Sequence, residues 1–479
     1  MVKPYQWRRY AVLLTASILM SLNISAYAAG PTLTLNDAIL LSLRYNPNVQ
    51  SAEFKRITDK FSLRISQYNF EWQYAMTGAA NVSRTATQGV VTWGRSANLT
   101  NSASINTAVG STVTATFSNP VDGPSYTPNV NIGVTQHLVK GFGSAVTLAP
   151  LFDAYDADKV SKLALKQVVM DNIDTVIQAY RSYVSAQANF KIQLQSLKRA
   201  EETVKNTEIQ IKAGNTAPAE KITAALNVAQ LQLGLTQQEN TVQTAREALL
   251  TSIGLEIITP IIVPIEIKTE KFQTPSREKS IELALRNDTG YLSALLGMEQ
   301  QKRALLIARD NARWTVDLNA NSTFTSDPTN HNHLGNLFNG RNMNQNVGVT
   351  LTVPLNHLPL EQSISNAETG IEQSKIALLN TRRAVITNVV NGIRNIEIAR
   401  ISIEQAEQQM QLATTNVHNA MLQFRYGRTS MFEYTSKQDE LTTAEQNVLT
   451  AKIGYLNAIS SYEKIVGVSL DRWGIKIRY

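Results

Sequence analysis

The chain contains no cysteine in 479 residues. That excludes disulfides, thiolate metal sites and a lipid-modified cysteine at a mature N-terminus. Long apolar runs are also missing beyond the first thirty residues. The most apolar stretch, 257–267, is interrupted by Pro260 and Pro264, and a membrane helix needs roughly 18 or more such residues. If this protein crosses a membrane, it must do so as strands. Histidine is sparse: His137, His331, His333, His357 and His418 are scattered. His331-Asn332-His333 reads as an incidental polar loop, because no further ligands accompany it. There is no glycine-rich phosphate loop, nucleophile elbow or metalloprotease helix. The sequence therefore indicates neither an enzyme, nor a cofactor, nor a metal site.

The opening segment sets the compartment. Lys3, Arg8 and Arg9 precede an apolar stretch from Ala11 to about Leu22, and Ala26-Tyr27-Ala28 follows. This is the pattern of a secretory signal peptide over residues 1–28. The competing reading, a membrane anchor, needs a longer apolar stretch. Removing three basic residues lowers the formal charge from +7 to about +4. An excess that small and dispersed argues against nucleic acid as a partner. An exported chain without disulfides fits a bacterial envelope protein.

The mature chain is dominated by a duplication. Ile209–Ile253 reappears in altered form as Leu422–Val466, with Gly214 to Gly427 and Gly254 to Gly467 both 213 positions apart. A constant offset at both ends of a long helix marks a duplicated supersecondary unit. Helical periodicity covers four tracts, about 34–72, 147–253, 277–313 and 361–466. The two longer tracts read as hairpins with outgoing arms of roughly 65 residues, about 95–100 Å of straight helix. The second hairpin has no proline, and the first has Pro218 just past its turn, where a return helix can start.

On the first return arm Val228, Leu231, Leu235, Val242, Ala245 and Leu249 follow a heptad seam with Gln238 as its polar member. Ile222, Leu226, Ala229 and Leu233 make a second seam on another face. Shifted by 213, the first seam becomes Leu441, Ala444, Val448, Tyr455, Ala458 and Tyr462. A plain two-helix coiled coil needs one seam. Two seams call for a neighbour on each side, and many such arms can close into a cylinder.

Between the helical tracts the period is two. Trp314, Val316, Leu318 and Ala320 alternate with polar residues, as do Val347, Val349, Leu351 and Val353. Ile132, Val134 and Leu138 repeat the second pattern, and Trp72 matches Trp314. Such one-face-apolar runs of about nine residues suit tilted membrane strands. Trp72 to Asn131 spans 59 positions against 32 from Trp314 to Asn346, so the first half carries roughly 27 extra residues. Ala103-Ile105 and Val113-Ala115-Phe117 predict an additional hairpin there, partly outside the lipid. Two principal strands per repeat give four per chain. Four cannot close a wall, and open edges are intolerable in lipid. Three chains would supply 12 strands.

Several short motifs then carry a resemblance. They are Leu33-Thr34-Leu35-Asn36-Asp37-Ala38 with Asn46-Pro47, Val134-Thr135-Gln136-His137-Leu138 with Gly141-Phe142-Gly143, Val349 to Leu355, and Tyr426 to Glu433. In this order and in duplicate, the chain resembles the TolC family of outer-membrane efflux and secretion ducts over nearly all of its mature length. The resemblance implies a mainly α fold with a membrane β-barrel. It would be a homotrimer whose 12-stranded outer-membrane barrel continues into a long periplasmic α-helical barrel. It also implies a periplasmic adaptor, an inner-membrane pump of ABC, RND or MFS type, outer-membrane lipid around the barrel, and no nucleic acid. The division expected is 1–28 signal peptide, 29–255 first repeat, 256–276 equatorial linker, 277–467 second repeat and 468–479 C-terminal equatorial segment. That last segment either pairs in the belt or frays.

The hairpin turns would form the periplasmic end. Gly214 and Gly427 reverse the chain, and Glu220 and Glu433 sit six residues beyond each. These glutamates read either as an acidic, cation-binding constriction or as first-turn acids favoured by the helix dipole. By position relative to Gly427, the family's gate tyrosine becomes Phe424 and its gate arginine falls at Thr429, flanked by Arg425 and Arg428. One gate aspartate becomes Glu433, and the other becomes Ser436. Phe424 cannot donate a hydrogen bond, so Arg425 or Arg428 pairing with Glu433 or Glu220 is the expected latch. A passive porin, which would be mostly strand, and a structural coiled coil, which would need no one-faced strands, are the alternatives.

Overall fold

A computed structural model gives the fold. It describes residues 32–120, 126–214, 216–267, 272–273, 275–327, 335–338, 341–355, 357–477 and 479. The expected signal peptide, Asn215, and the His331–His333 loop lie outside these residues.

Helices α1 (Leu35–Tyr45) and α2 (Pro47–Tyr68) lead into strands β1 (Gln73–Thr87), β2 (Val90–Asn106), β3 (Ser111–Pro120) and β4 (Asn129–His137). A short α3 (Ser144–Thr147) precedes the first long hairpin, α4 (Ala149–Lys212) and α5 (Ala219–Ile253). The order then recurs with α6 (Arg277–Asn287), α7 (Thr289–Asn311), β5 (Thr315–Thr325), β6 (Met343–Thr352), α8 (Leu358–Arg425) and α9 (Met431–Val466). A single turn, α10 (Ser469–Arg472), follows. The outgoing arms have 64 and 68 residues, about 96–102 Å at about 1.5 Å per residue.

Local chemistry fixes the helix ends. Thr34 and Asp37 form a capping box, with the Asp37 N–H donating to Thr34 Oγ1 at 3.2 Å. Asn46-Pro47 ends α1 and starts α2, because proline suits the first turn and Asn46 accepts from the Asn48 N–H. The return arms stop at left-handed glycines, Gly254 (φ +88°) and Gly467 (φ +77°). Each packs on the helix junction of its own half. A Cβ on Gly254 would lie 2.4 Å from the Tyr45 carbonyl oxygen, and one on Gly467 would lie 2.7 Å from Asn287 Cβ.

Two apolar cores sit at these junctions. The first joins Ile39, Val49, Ile173, Val176, Leu249 and Ile253, with Trp473, Ile475 and Ile477 packed against it. The second joins Val389, Ile396, Tyr455, Tyr462 and Val466. The alternation over residues 473–477 therefore makes no strand. Its apolar side chains are drawn into the first core, and the parallel bridge nearby is Thr32 to Ile262.

All six strands form one antiparallel sheet in the order β1-β2-β3-β4-β5-β6. This corrects the expectation of four strands per chain. The extra residues of the first half build β2 and β3, and these stand between β1 and β4 in the same sheet rather than beside it.

Candidate functional site

Three features of the described chain stand out as candidates: a two-faced sheet, a row of arms open at both edges, and the far tips of the hairpins.

Sheet register sorts the side chains. Tyr74, Ala103, Ala115, Ile132, Ser322 and Gln345 fall in one cross-strand row, and Ile105, Val113, Val134, Ala320 and Val347 in another. Both belong to one mostly apolar face. The opposite face carries Ser102, Thr116, Asn131, Thr323 and Asn344 in one row. Its amides and hydroxyls bridge neighbouring strands: Asn98 to Ser118 (2.9 Å), Asn131 to Thr323 (2.8 Å) and Thr135 to Asn319 (2.9 Å). Among the strand residues of this polar face the only carboxylate is Asp317, 2.7 Å from His137 Nδ1. These two residues lie 180 positions apart. Nothing local in the sequence marks Asp317 as the partner of His137.

The arms lie in the order α5-α4-α9-α8. The first seam of α5 faces α4, and its polar member Gln238 donates to the Ala186 carbonyl at 3.2 Å. The corresponding seam of α9 is buried at Leu441, Ala444, Val448, Tyr455 and Tyr462. The second α5 seam is bare: Ile222, Leu226 and Leu233 are 74%, 59% and 63% exposed. At the other edge Ile376, Leu379, Ile398 and Leu412 of α8 are exposed too. Between the two hairpins, α4 meets α9 through polar rungs. Gln438 donates to Thr203 (3.3 Å), Thr442 to Ser196 (3.1 Å), and Arg199 to Glu445 (3.3 Å). Nearer the core Arg181 donates to Asn457 (3.1 Å) and Ser460 (2.9 Å). Burial pushes its pKa down to about 10, against the opposing pull of Glu463 and Asp174, so it stays cationic at neutral pH. These rungs use ordinary polar residues, and no sequence pattern marked them.

At the tips both turn glycines are left-handed, Gly214 at φ +73° and Gly427 at φ +66°, with open space around each. Pro218 is the N-cap of α5, one residue ahead of its first turn. Glu220 lies in that turn. Glu433 lies in the first turn of α9, where its N–H donates to Ser430 Oγ (3.2 Å) and Thr429 Oγ1 donates to its carboxylate (2.6 Å). The Glu433 carboxylate is thus held by a threonine of its own turn. Arg425 and Arg428 are exposed, and among the described residues neither is ion-paired within one chain. The ion pair that does tie the first tip is Lys221 to Glu208 (2.6 Å), whose lysine holds the Glu208 carboxyl below its ordinary range.

Phe424 does not face open space. It is buried with Ala224, Ala420, Met431 and Tyr434, and its ring stacks on Tyr434 at 5.7 Å and 10°. With Arg425 it borders a cleft of about 200 Å³ that also involves Thr203, Asn206 and Gln210. Ser436, half-buried, borders a second groove between α8 and α9 with Asp439 and Glu440. Burial raises the Asp439 carboxyl above its ordinary range. No group of three or more His, Asp or Glu is placed to hold a metal among the described residues. No helix among them is long and apolar enough to cross a membrane.

No protein-family model and no curated protein matches the chain. Solved structures do. The Campylobacter jejuni CmeC outer membrane channel aligns with a TM-score of 0.69 at 16% identity, covering 91% of this chain and 86% of that one. The outer membrane protein VceC of Vibrio cholerae gives 0.70 at 15% identity, over 90% of this chain and 96% of that one. The open state of the Neisseria gonorrhoeae MtrE outer membrane channel gives 0.64 at 16% identity, over 94% of each chain. Over nine-tenths of its length, this chain has the fold of these bacterial outer-membrane channels.

Proposed function

We propose that the protein is the outer-membrane exit duct of a tripartite efflux pump or type I secretion system. In this reading three copies close into one conduit: the sheets form a barrel in the bacterial outer membrane, and the arms form a helical tube through the periplasm. The observation that carries it is the pairing of a two-faced sheet with four arms whose outer edges, Ile222-Leu226-Leu233 and Ile376-Leu379-Leu412, are bare. Apolar stripes of that length need partners, and the α5 edge of one copy can meet the α8 edge of the next. A barrel of 12 strands from three chains needs four strands per chain, and the sheet has six. Energy coupling belongs to an inner-membrane ABC, RND or MFS-type pump reached through a periplasmic adaptor. The repeat boundaries at 29–255, 256–276, 277–467 and 468–479 are part of this proposal.

The tips would be the periplasmic gate. Three copies bring up to six carboxylates, Glu220 and Glu433, towards one level. Arg425 and Arg428, with no ion pair among the described residues, would then bond across chains and hold the closed state. Single-channel conductance of Arg425→Ala, Arg428→Ala and the double variant tests this, and conductance no higher than wild type in all three rejects the latch. Deleting the gene and tagging candidate pumps tests the larger reading. Drug or secretion defects with co-purified adaptor and pump support it. Normal export and no association contradict it.

A further inference from the structure

The extra hairpin of the first half is built into the sheet from end to end. β2 pairs with β1 over fifteen positions, β2 with β3 over nine, and β3 with β4 over eight. Its turn, residues 107–110, lies at the helix side of the sheet. There the Gly143 N–H donates to the Val109 carbonyl (3.2 Å) and the His137 N–H to the Gly110 carbonyl (3.3 Å). Gly110 (φ +89°) makes this contact possible, since a Cβ there would fall 2.1 Å from the Gly141 carbonyl oxygen. A loop hanging outside the lipid would have no reason to return to that rim.

The faces agree as well. Ala103 and Ile105 of β2, and Val113, Ala115 and Phe117 of β3, continue the apolar face of β4 to β6, with Asn101 opposite Phe117 as a polar interruption. Thr100, Ser102, Thr112, Thr114, Thr116 and Ser118 continue the polar face. A register slip of one residue would reverse both strands. Only the distal part of β1–β2, residues 78–87 paired with 90–99, runs past the row where β4 to β6 end. That is about 33 Å of two-stranded ribbon at roughly 3.3 Å per residue.

We propose that the β2–β3 hairpin is a lipid-facing part of the membrane wall, so that each chain supplies six strands and a three-chain barrel has 18. At a strand spacing of about 4.8 Å and a tilt of about 45°, 12 strands enclose a backbone diameter of about 26 Å, and 18 about 39 Å. The enclosed cross-section roughly doubles. Its lining is hydroxyl and amide apart from the Asp317–His137 pair at the helix side, so most of this level sorts solutes by size more than by charge. The barrel would admit bulky polar cargo that a 12-strand wall restricts, leaving selection to the helical end.

This rests on the sheet being a membrane wall, and the test separates the two ideas. The chain has no native cysteine, so single cysteines report cleanly. Fluorophores are attached at Ala103→Cys and Ala115→Cys, at Ser102→Cys and Thr116→Cys, and at Val349→Cys and Thr350→Cys on β6 as reference. The protein is reconstituted in phosphatidylcholine vesicles with either lipid-borne or aqueous quenchers. The proposal expects labels at 103, 115 and 349 to be quenched several-fold more from lipid, and those at 102, 116 and 350 more from water. Alternation on β6 with uniform aqueous quenching at all four hairpin positions overturns the proposal and leaves the duct intact. Absence of alternation everywhere overturns both. Should labelled variants fail to assemble, strand counting in electron cryomicroscopy of the unmodified protein decides: 18 supports the proposal, 12 overturns it.

Discussion

Four left-handed glycines occupy two pairs of repeat-related positions, and the pairs differ in one respect. Gly214 and Gly427 at the tips have nothing near the position of a Cβ, whereas Gly254 and Gly467 each press on a helix junction. Replacing any of them by alanine imposes a left-handed L-residue, at about 1–2 kcal/mol. At Gly254 and Gly467 the new methyl also meets atoms at 2.4 and 2.7 Å. Neither neighbour is a flexible side-chain end, so the junction must shift, at a further cost of about 1–3 kcal/mol. Gly254→Ala and Gly467→Ala should therefore lose about 2–5 kcal/mol in all, against about 1–2 for the tip pair. Unfolding is best followed as a rate at fixed temperature, by loss of helical circular dichroism in detergent. The expected order is Gly254→Ala fastest, Gly467→Ala next, and the tip variants slower than both but faster than wild type. Equal rates for all four would refute the claim that close approach at the junctions, and not backbone conformation alone, fixes these glycines.

Phe424→Ala removes a buried ring from the tip cluster, a loss of about 3–5 kcal/mol in a packed core; trypsin should then cut faster at Arg425 and Arg428, and an unchanged digestion rate would contradict the packing role. Asp156 gives a pH dependence. Burial opposes its ionisation, but hydrogen bonds from Lys159 and Arg303 outweigh that and hold its carboxyl below the ordinary range. A depressed folded pKa gives stability that is present above the unfolded value of about 3.9 and is lost as pH falls through the folded one. Wild type should therefore unfold at lower temperature as pH drops below about 4, and Asp156→Asn should show a shallower drop; identical pH profiles would contradict a stabilising role for these ion pairs. Arg199→Ala breaks one α4–α9 rung that is partly exposed, so heat-stability should fall by no more than about 1 kcal/mol, and a double-mutant cycle with Glu445→Gln measures that coupling.

Long-range architecture was legible because it repeats. The 213-residue offset of the glycines, the paired seams and the one-faced strands all follow from periods that a sequence displays directly. The second α5 seam asked for a neighbour that one chain does not provide, and its side chains are indeed bare. What stayed hidden depends on register between distant segments. Ala103-Ile105 and Val113-Phe117 showed strand periodicity, yet only pairing with β1 and β4 places them within the sheet. Ser196, Thr203 and Arg199 look like solvated helix residues until α9 lies across them. At the tips the resemblance pointed to Phe424 as a gate residue, but the ring is packed beneath Tyr434, and Glu433 is satisfied by Thr429 four residues away. Local capping there competes with any cross-chain latch.

In the proposed duct, bare helix edges and an open sheet become a sealed passage only by association of three chains. Static light scattering of the protein extracted from outer membranes in mild detergent, corrected for bound detergent, measures the copy number directly. A polypeptide mass three times that of the mature chain is the expected result. A stable species holding one polypeptide, with the same helical content, would contradict it.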